Sequence, residues 1–574
     1  MCIFLIVSML FSGCRHIDQP SEKSSSEIAE NSIGGISSYN PSEFNVLGNF
    51  VDDSDYHNKN AKNLIERMNV MLYLPKTGHM WDTSIIYWQN KYYLFSMFRY
   101  FGKDDVNVWC AVSDDGVHFS DVGVVIADQP PNWVWKMFVH RYGDQFVMNF
   151  GSFSNREGHE NDTLKFWKSN DLLHWEYCGE QHPDPRWYRE EGRFDHMYTI
   201  DDGDKYYGFV VATPKEGGNT SGCGLMESLD GITWTPLPPV NIEWDDVPPT
   251  NFEVGGCEKV NGHYYLIGGL IQYFGNDGYS VFTFVSDSVT GPYRPCLPKF
   301  RLCGNSSGKH ALGKQWLASF ARGNDNEVLI TNYLTAPESE TINFIGTKEN
   351  VWFLPIKKAV IGPDGEMMMG YWKQNDLLKG EEIPIDFSSF IDDNDKTIYL
   401  RTADYHDFHL FSPEKLGSVT NVMILGNLFD FENGVVFEGS FELYGNGKLS
   451  KAKSGIIIKQ EQHSVLVSLE VGDRRTSKAQ IALIKDDDME QMEILDEVTN
   501  TCAAKTNLSF ACITAFRLLV RQNIFELYID DILVQSYTLP ENANGNIGFF
   551  VENCSMKLCE FKAFKMDLTP PQGN

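Results

Sequence analysis

Three acidic residues of this chain stand at one repeated register. Asp82, Asp195 and Glu253 precede the pairs Tyr92-Tyr93, Tyr206-Tyr207 and Tyr264-Tyr265 by ten or eleven residues. Their settings are Trp81-Asp82-Thr83-Ser84, Arg193-Phe194-Asp195-His196 and Asn251-Phe252-Glu253-Val254. An acid repeated at one register of a recurring hairpin comes to one rim of a fold, where carboxylates meet on a single substrate. Cleavage of a glycosidic bond needs such a set, to deliver a proton to the leaving oxygen and to place negative charge beside an oxocarbenium-like carbon. The pattern points to sugar chemistry.

The element that must position these acids is the hairpin itself. Its second strand recurs as Asn90-Lys91-Tyr92-Tyr93, Gly143-Asp144-Gln145-Phe146, Gly203-Asp204-Lys205-Tyr206-Tyr207, Asn261-Gly262-His263-Tyr264-Tyr265 and Gly313-Lys314-Gln315-Trp316. Turn residues followed by aromatic and aliphatic residues mark β-hairpins. The aligned Tyr93, Phe146, Tyr207, Tyr265 and Trp316 are 53, 61, 58 and 51 residues apart. A near-constant period of this size, with several strands per unit, predicts a five-bladed β-propeller. A second repeat, as in Ser113-Asp114-Asp115-Gly116, Ser169-Asn170-Asp171-Leu172 and Ser228-Leu229-Asp230-Gly231, reads as an outer-strand turn whose acids serve turn geometry.

At 574 residues the chain exceeds one ordinary core, and its hydrophobic content of 42% is ample for two. From about Glu381 the strand-like runs lose the blade period, which predicts a C-terminal β-sandwich and an all-β chain. The expected division is a signal peptide over 1–14, a tether and extension over 15–66, a propeller over 67–345, a linker over 346–380 and a sandwich over 381–570. A net charge of −30 repels polyphosphate and excludes nucleic acid as a partner. The apolar run Ile3 to Phe11 followed by Ser12-Gly13-Cys14 looks like a bacterial lipoprotein signal, with Cys14 the lipidated residue and the cell envelope the destination. Cys296 with Cys303, Cys502 with Cys512 and Cys554 with Cys559 are near enough in sequence for disulfides, with connectivity left open. No spacing of Cys or His fits a zinc site, so neither a metal nor a cofactor is expected.

The acidic motifs, read with the Lys-Tyr-Tyr-Leu and Asp-Lys-Tyr-Tyr strands behind them, resemble those of the five-bladed propeller glycoside hydrolases of families 43 and 32. The blades are closer to family 43 in local wording, and the C-terminal part, including Phe516 to Ile529, is similar to the appended module of family 32. The resemblance implies that Asp82, Asp195 and Glu253 are the catalytic acids. In family 32 they imply nucleophile, transition-state stabiliser and general acid/base; in family 43 Asp82 would instead activate water. Glu253 would need to hold its proton near neutrality, which neighbouring carboxylates and burial arrange. Around the first acid, family 32 has Asn and Pro-Asn-Gly where this chain has Trp81 and Thr83-Ser84, and Phe194 intervenes between Arg193 and Asp195. The sugar therefore stays open, with β-fructofuranosidase-like activity as the leading candidate.

Near the acids, Arg193 is a candidate clamp for a sugar hydroxyl, Trp81 and Trp187 are candidates to stack on a sugar face, and His196 is a hydrogen-bonding neighbour, as is His79. Glu258 is a weaker alternative acid, and Glu190-Glu191 read as a solvated loop. The expected activity is removal of terminal sugars from an oligosaccharide or glycan by a lipid-anchored, exported enzyme of open oligomeric state. Two alternatives are a non-catalytic carbohydrate-binding lipoprotein and a sialidase-like enzyme, the latter because the Ser-x-Asp turns resemble shortened Asp boxes.

Overall fold

The computed structural model describes residues 72–569 with breaks at 101–104, 128–133, 153–162, 217–221, 244–251, 272–278, 297–300, 305–313, 336–350, 392–398, 402–407, 411–419, 446–451, 462, 472–478, 486–491, 498–507 and 540–543. Cys14, the tether and Cys502 lie outside the described residues. Among the described residues the regular secondary structure is almost entirely β-strand, with two short 3-10 turns.

Up to Tyr371 the strands form successive antiparallel meanders. One begins with Gly78–Trp88 and Lys91–Tyr100, the next with Val134–Tyr142 and Gln145–Ser152, and a third with Phe194–Asp201 and Tyr206–Ala212. The fourth and fifth begin with Phe252–Val260 and His263–Ile271, and with Lys314–Arg322 and Val328–Thr335. Turn chemistry fixes the register. Gln89 and Asn90 both have φ near +50 to +60°, and Asn261-Gly262 has φ of 51° and 89°. Paired left-handed residues give the turn whose twist matches the flanking strands. Farther out, Ser113 Oγ accepts the Asp115 and Gly116 amides, and Asp115 Oδ1 accepts those of Val117 and His118. Ser169 with Asp171 and Ser228 with Asp230 repeat the arrangement. These acids bind their own backbone, as turn residues do.

The first strands of the five units touch one another in sequence order, and Lys314–Arg322 returns to Gly78–Trp88 through a parallel Ile86–Arg322 pairing. The ring is thereby closed. Tyr73 also bridges to Phe353, so the two ends of the ring-forming segment are tied by backbone pairing.

The structure departs from two expectations. Gly313 to Leu317 does not match the second strand of its unit: Lys314–Arg322 is the innermost strand, and Val328–Thr335 is second. The expected linker over 346–380 instead holds strands Val351–Phe353 and Lys357–Ile361, both paired to Val328–Thr335, and Met367–Tyr371 beyond them. Buried Phe353, Ile356, Met367 and Met369 belong to the same core as the other units, which is why this segment packs rather than spans.

Beyond Lys379 two sheets enclose a second apolar core. One sheet contributes Phe437, Phe516, Leu518, Leu527 and Phe561, the other Leu425, Ile456, Val465, Val467 and Phe549. Cys296, Cys512 and Cys554 are free thiols, so none of the three pairings allowed by sequence spacing is formed. Cys554 Sγ instead donates to the Lys453 carbonyl at 3.3 Å.

Candidate active site

Each innermost strand carries an irregularity in its pairing a few residues from its start. The shifts fall between Trp81 and Ser84, Val134 and Met137, Asp195 and Met197, Val254 and Gly256, and Trp316 and Ser319. A bulge bends the strand and re-aims the side chains around it. Asp82 lies inside the first of these at φ 51°, a left-handed conformation that Asp and Asn adopt at low cost and β-branched residues do not. Gly255 is the extra residue in the fourth unit, where an added Cβ would lie 2.3 Å from the Ala318 carbonyl oxygen. That close approach seats the strand bearing Glu253 against Lys314–Arg322.

Hydrogen bonds and charge tie the three acids together. Arg193 Nε donates to Asp195 Oδ2 at 2.5 Å and Nη1 to Glu253 Oε1 at 2.8 Å, so one guanidinium spans two units. His196 Nδ1 lies 2.6 Å from Asp195 Oδ1, and its Nε2 lies 3.3 Å from the Val254 carbonyl. Burial alone would raise the Asp195 carboxyl, yet Arg193 and His196 more than offset it and hold the group below its ordinary range. Asp82 goes the other way. Burial is the largest influence and lifts it above the ordinary value, with Glu253 adding to the lift while Lys136 and the Tyr333 hydroxyl oppose it. Tyr333, from the fifth unit, donates to Asp82 Oδ1 at 2.8 Å. The carboxyl of Asp195 is 1% exposed and that of Glu253 14%, so Glu253 is the more open of the two.

Sequence reasoning missed three residues that shape this centre. Lys136 is buried inside it, and its Nζ donates to Ser319 Oγ. It stands ten residues ahead of Phe146, near but not at the register of the acids, which precede the aligned Tyr93, Tyr207 and Tyr265 by eleven or twelve, so the sequence carried only a weak signal. Tyr333 had none. Asn149, fully buried, donates to the Met197 carbonyl at 2.8 Å and accepts the Met197 amide at 2.9 Å, serving as a strand partner for the backbone just past Asp195. Two residues on, Gly151 packs so closely that a Cβ there would lie 2.4 Å from Asp195 Cβ. Gly151→Ala is accordingly expected to push Asp195 aside and lower kcat/KM of any Asp195-dependent reaction by about 10²-fold. The overpacking itself should cost about 1–3 kcal/mol in chemical denaturation.

The other sequence candidates scatter. Trp81 is 6% exposed, with the Arg99 guanidinium 5.9 Å from its ring, so the ring is part of the wall rather than an open stacking face for a sugar. Trp187 is half-buried in the turn preceding Phe194–Asp201 and packs on the core that holds Tyr188 and Phe194. His79 is buried in the first hairpin, paired in register with Arg99. Glu258 is bonded by Tyr198 at 2.5 Å and by Arg322, a buried cross-unit tie remote in the strand from Glu253. Glu190 and Glu191 are exposed.

No family model matches the chain, and no curated protein matches it in sequence. Among solved structures it is similar to the family 32 β-fructofuranosidase of Bombyx mori, with a TM-score of 0.60 over 89% of this chain and 97% of that one at 12% identity. It is similar also to the sucrose-6-phosphate hydrolase of Lactobacillus gasseri, TM-score 0.59, 13% identity, covering 89% and 97%. The fructan 1-exohydrolase IIa of Cichorium intybus gives TM-score 0.59 at 12% identity, covering 87% and 97%. The chain thus has the all-β fold of these enzymes across nearly their whole length.

Proposed function

We propose that this chain is a glycoside hydrolase that removes terminal sugars from oligosaccharides or glycans. The observation that carries the reading is the meeting of Asp82, Asp195 and Glu253, from three different units, in one electrostatic cluster. Its five units are read as the blades of a five-bladed propeller running to Tyr371, and the two C-terminal sheets as a β-sandwich domain. A five-unit ring speaks for this reading over the sialidase-like one, which calls for six blades.

In this reading Glu253 is the general acid/base, being the more exposed partner of Arg193. Asp82 is the nucleophile or the base that activates water, and Asp195 orients the sugar. Arg193 holds Asp195 and Glu253 in mutual register, and His196 fixes Asp195 from its other side. Trp187 remains a candidate at the mouth. The names of the similar enzymes favour a fructosyl substrate, and lipidation at Cys14 would place the enzyme on the cell envelope.

The test is a panel of aryl glycosides, sucrose, inulin oligosaccharides and plant and host glycans, with released monosaccharide as the readout. Glu253→Gln is expected to lower kcat by about 10³-fold on natural leaving groups, which need a proton. It should lower it much less on nitrophenyl glycosides, which do not. A protein that binds glycans yet hydrolyses none of the panel overturns the assignment in favour of a binding module.

A further inference from the structure

Arg193 serves Asp195 and Glu253 but makes no hydrogen bond to Asp82. What cation, then, answers Asp82? Lys136 stands on Val134–Tyr142, the innermost strand of the second unit, beside its bulge. Its Nζ reaches Ser319 on Lys314–Arg322, the innermost strand of the fifth. In the ring the first unit lies between the second and the fifth, so this side chain crosses in front of the first unit, which bears Asp82. Lys136 is 2% exposed, and its Nζ also lies 4.8 Å from the centroid of the Phe138 ring. A lysine on a surface strand would snorkel to water; this one is turned inward and held.

We propose that Lys136 is a positioning residue for the hydrolysis proposed above, on which reading this inference rests: its ammonium keeps Asp82 ionised in a buried setting, the counterpart of Arg193 at Asp195. The charged and titratable groups facing it are Asp82 from the first unit, Asp195 from the third and Glu253 from the fourth. Arg193 and His196 hold Asp195, and Tyr333 of the fifth unit holds Asp82. Among these carboxylates Asp82 exerts the largest attraction on Lys136, and Lys136 is the largest influence opposing the burial of Asp82. Burial in turn brings the Lys136 ammonium down to about 8. The ammonium therefore matters most on the acidic side, where without it Asp82 would hold its proton.

The experiment compares wild type with Lys136→Met and Lys136→Arg in the full chain. In Lys136→Met, kcat at pH 6 should fall roughly 10²-fold with little change in KM. It should recover as pH rises, because the acidic limb moves up by about one unit or more once Asp82 lacks its cation. Lys136→Arg should restore the acidic limb. An equal loss at every pH, or an acidic limb unmoved in Lys136→Met, overturns the proposal.

A second readout needs no activity. The unfolded chain keeps a lysine proton to about pH 10.4, above the folded value, so wild type should gain thermal stability relative to Lys136→Met between about pH 8 and 10. A flat difference across that window overturns the desolvated setting of Lys136 from which the proposal is argued, whether or not any glycoside is cleaved. Absence of hydrolysis by wild type with this window intact overturns the hydrolase reading and leaves the buried ammonium of Lys136 standing.

Discussion

Asp82→Asn is expected to abolish turnover, by about 10⁴-fold in kcat, while leaving the folded protein as stable as wild type or more so at neutral pH. The first half follows if Asp82 supplies the negative charge at the anomeric carbon, since an amide neither attacks nor takes a proton. The second half follows from the direction of the Asp82 shift. Its carboxyl is raised in the folded state, the net of burial and Glu253 against Lys136 and Tyr333. Ionising it therefore costs folding free energy at every pH above its unfolded value. A neutral amide removes that cost. Asn is also the right substitute for the backbone, because it tolerates the left-handed φ of 51° as Asp does, whereas a β-branched residue would add strain. The stability difference should be near zero below about pH 3.5, where the acid is protonated in both states, and should grow in favour of Asp82→Asn as pH rises toward neutrality. Thermal unfolding at several pH values, beside the rate on the best substrate of the panel, measures both halves. A marked loss of stability at neutral pH would mean that Asp82 is a structural anchor, and the trade of stability for reactivity argued for this position would be wrong.

How much of this centre could be read from the chain depends on what each residue leaves in the sequence. The hairpin turns were legible because Asn90 and Asn261-Gly262 are types that left-handed backbone selects, and the acids were legible because they sit at a fixed distance from those turns. The fifth unit was misregistered for the converse reason. Gly313 imitates a hairpin turn but precedes an innermost strand, and the strand that follows, Val328–Thr335, carries no Tyr-Tyr pair. Bulges leave little trace beyond Gly255-Gly256, since an added residue changes pairing without changing composition. They decide, however, where Asp82 and Lys136 point. Lys136 was passed over because a lysine among Trp135, Met137 and Phe138 reads as the polar face of a half-exposed strand; only the ring, which turns that face to the axis, gives it three carboxylates. The strands over 351–371 were invisible to the period because they are the outer half of a unit, where the repeating aromatic register does not run.

The other large effect lies far from the acids, at the joint between the ring and the C-terminal sheets. Lys357, on the strand Lys357–Ile361 of the fifth unit, donates from Nζ to Glu526 Oε1 at 2.5 Å and to Asn332 Oδ1 at 3.0 Å. Glu526, on Ile524–Ile529, also accepts the Tyr528 hydroxyl at 2.7 Å. Both charged side chains are 0% exposed. Desolvating two ions costs several kcal/mol each, and their attraction repays this only while both are present. Removing one partner leaves a buried charge without compensation, so Glu526→Leu is expected to destabilise the protein by about 3–5 kcal/mol. Because the pair bridges two cores, the loss should appear as a split of urea unfolding into two transitions rather than as a simple shift of one. Replacing both, as Lys357→Met with Glu526→Leu, should recover most of the loss, since an apolar pair of similar volume pays no desolvation. The double-mutant cycle would then return a coupling of at least about 2 kcal/mol. Single variants that unfold as wild type does would place the joint elsewhere, in the apolar contacts of Tyr371 and Tyr528, whose ring centroids are 5.2 Å apart, or in the backbone pairing of Gly370 with Ile532.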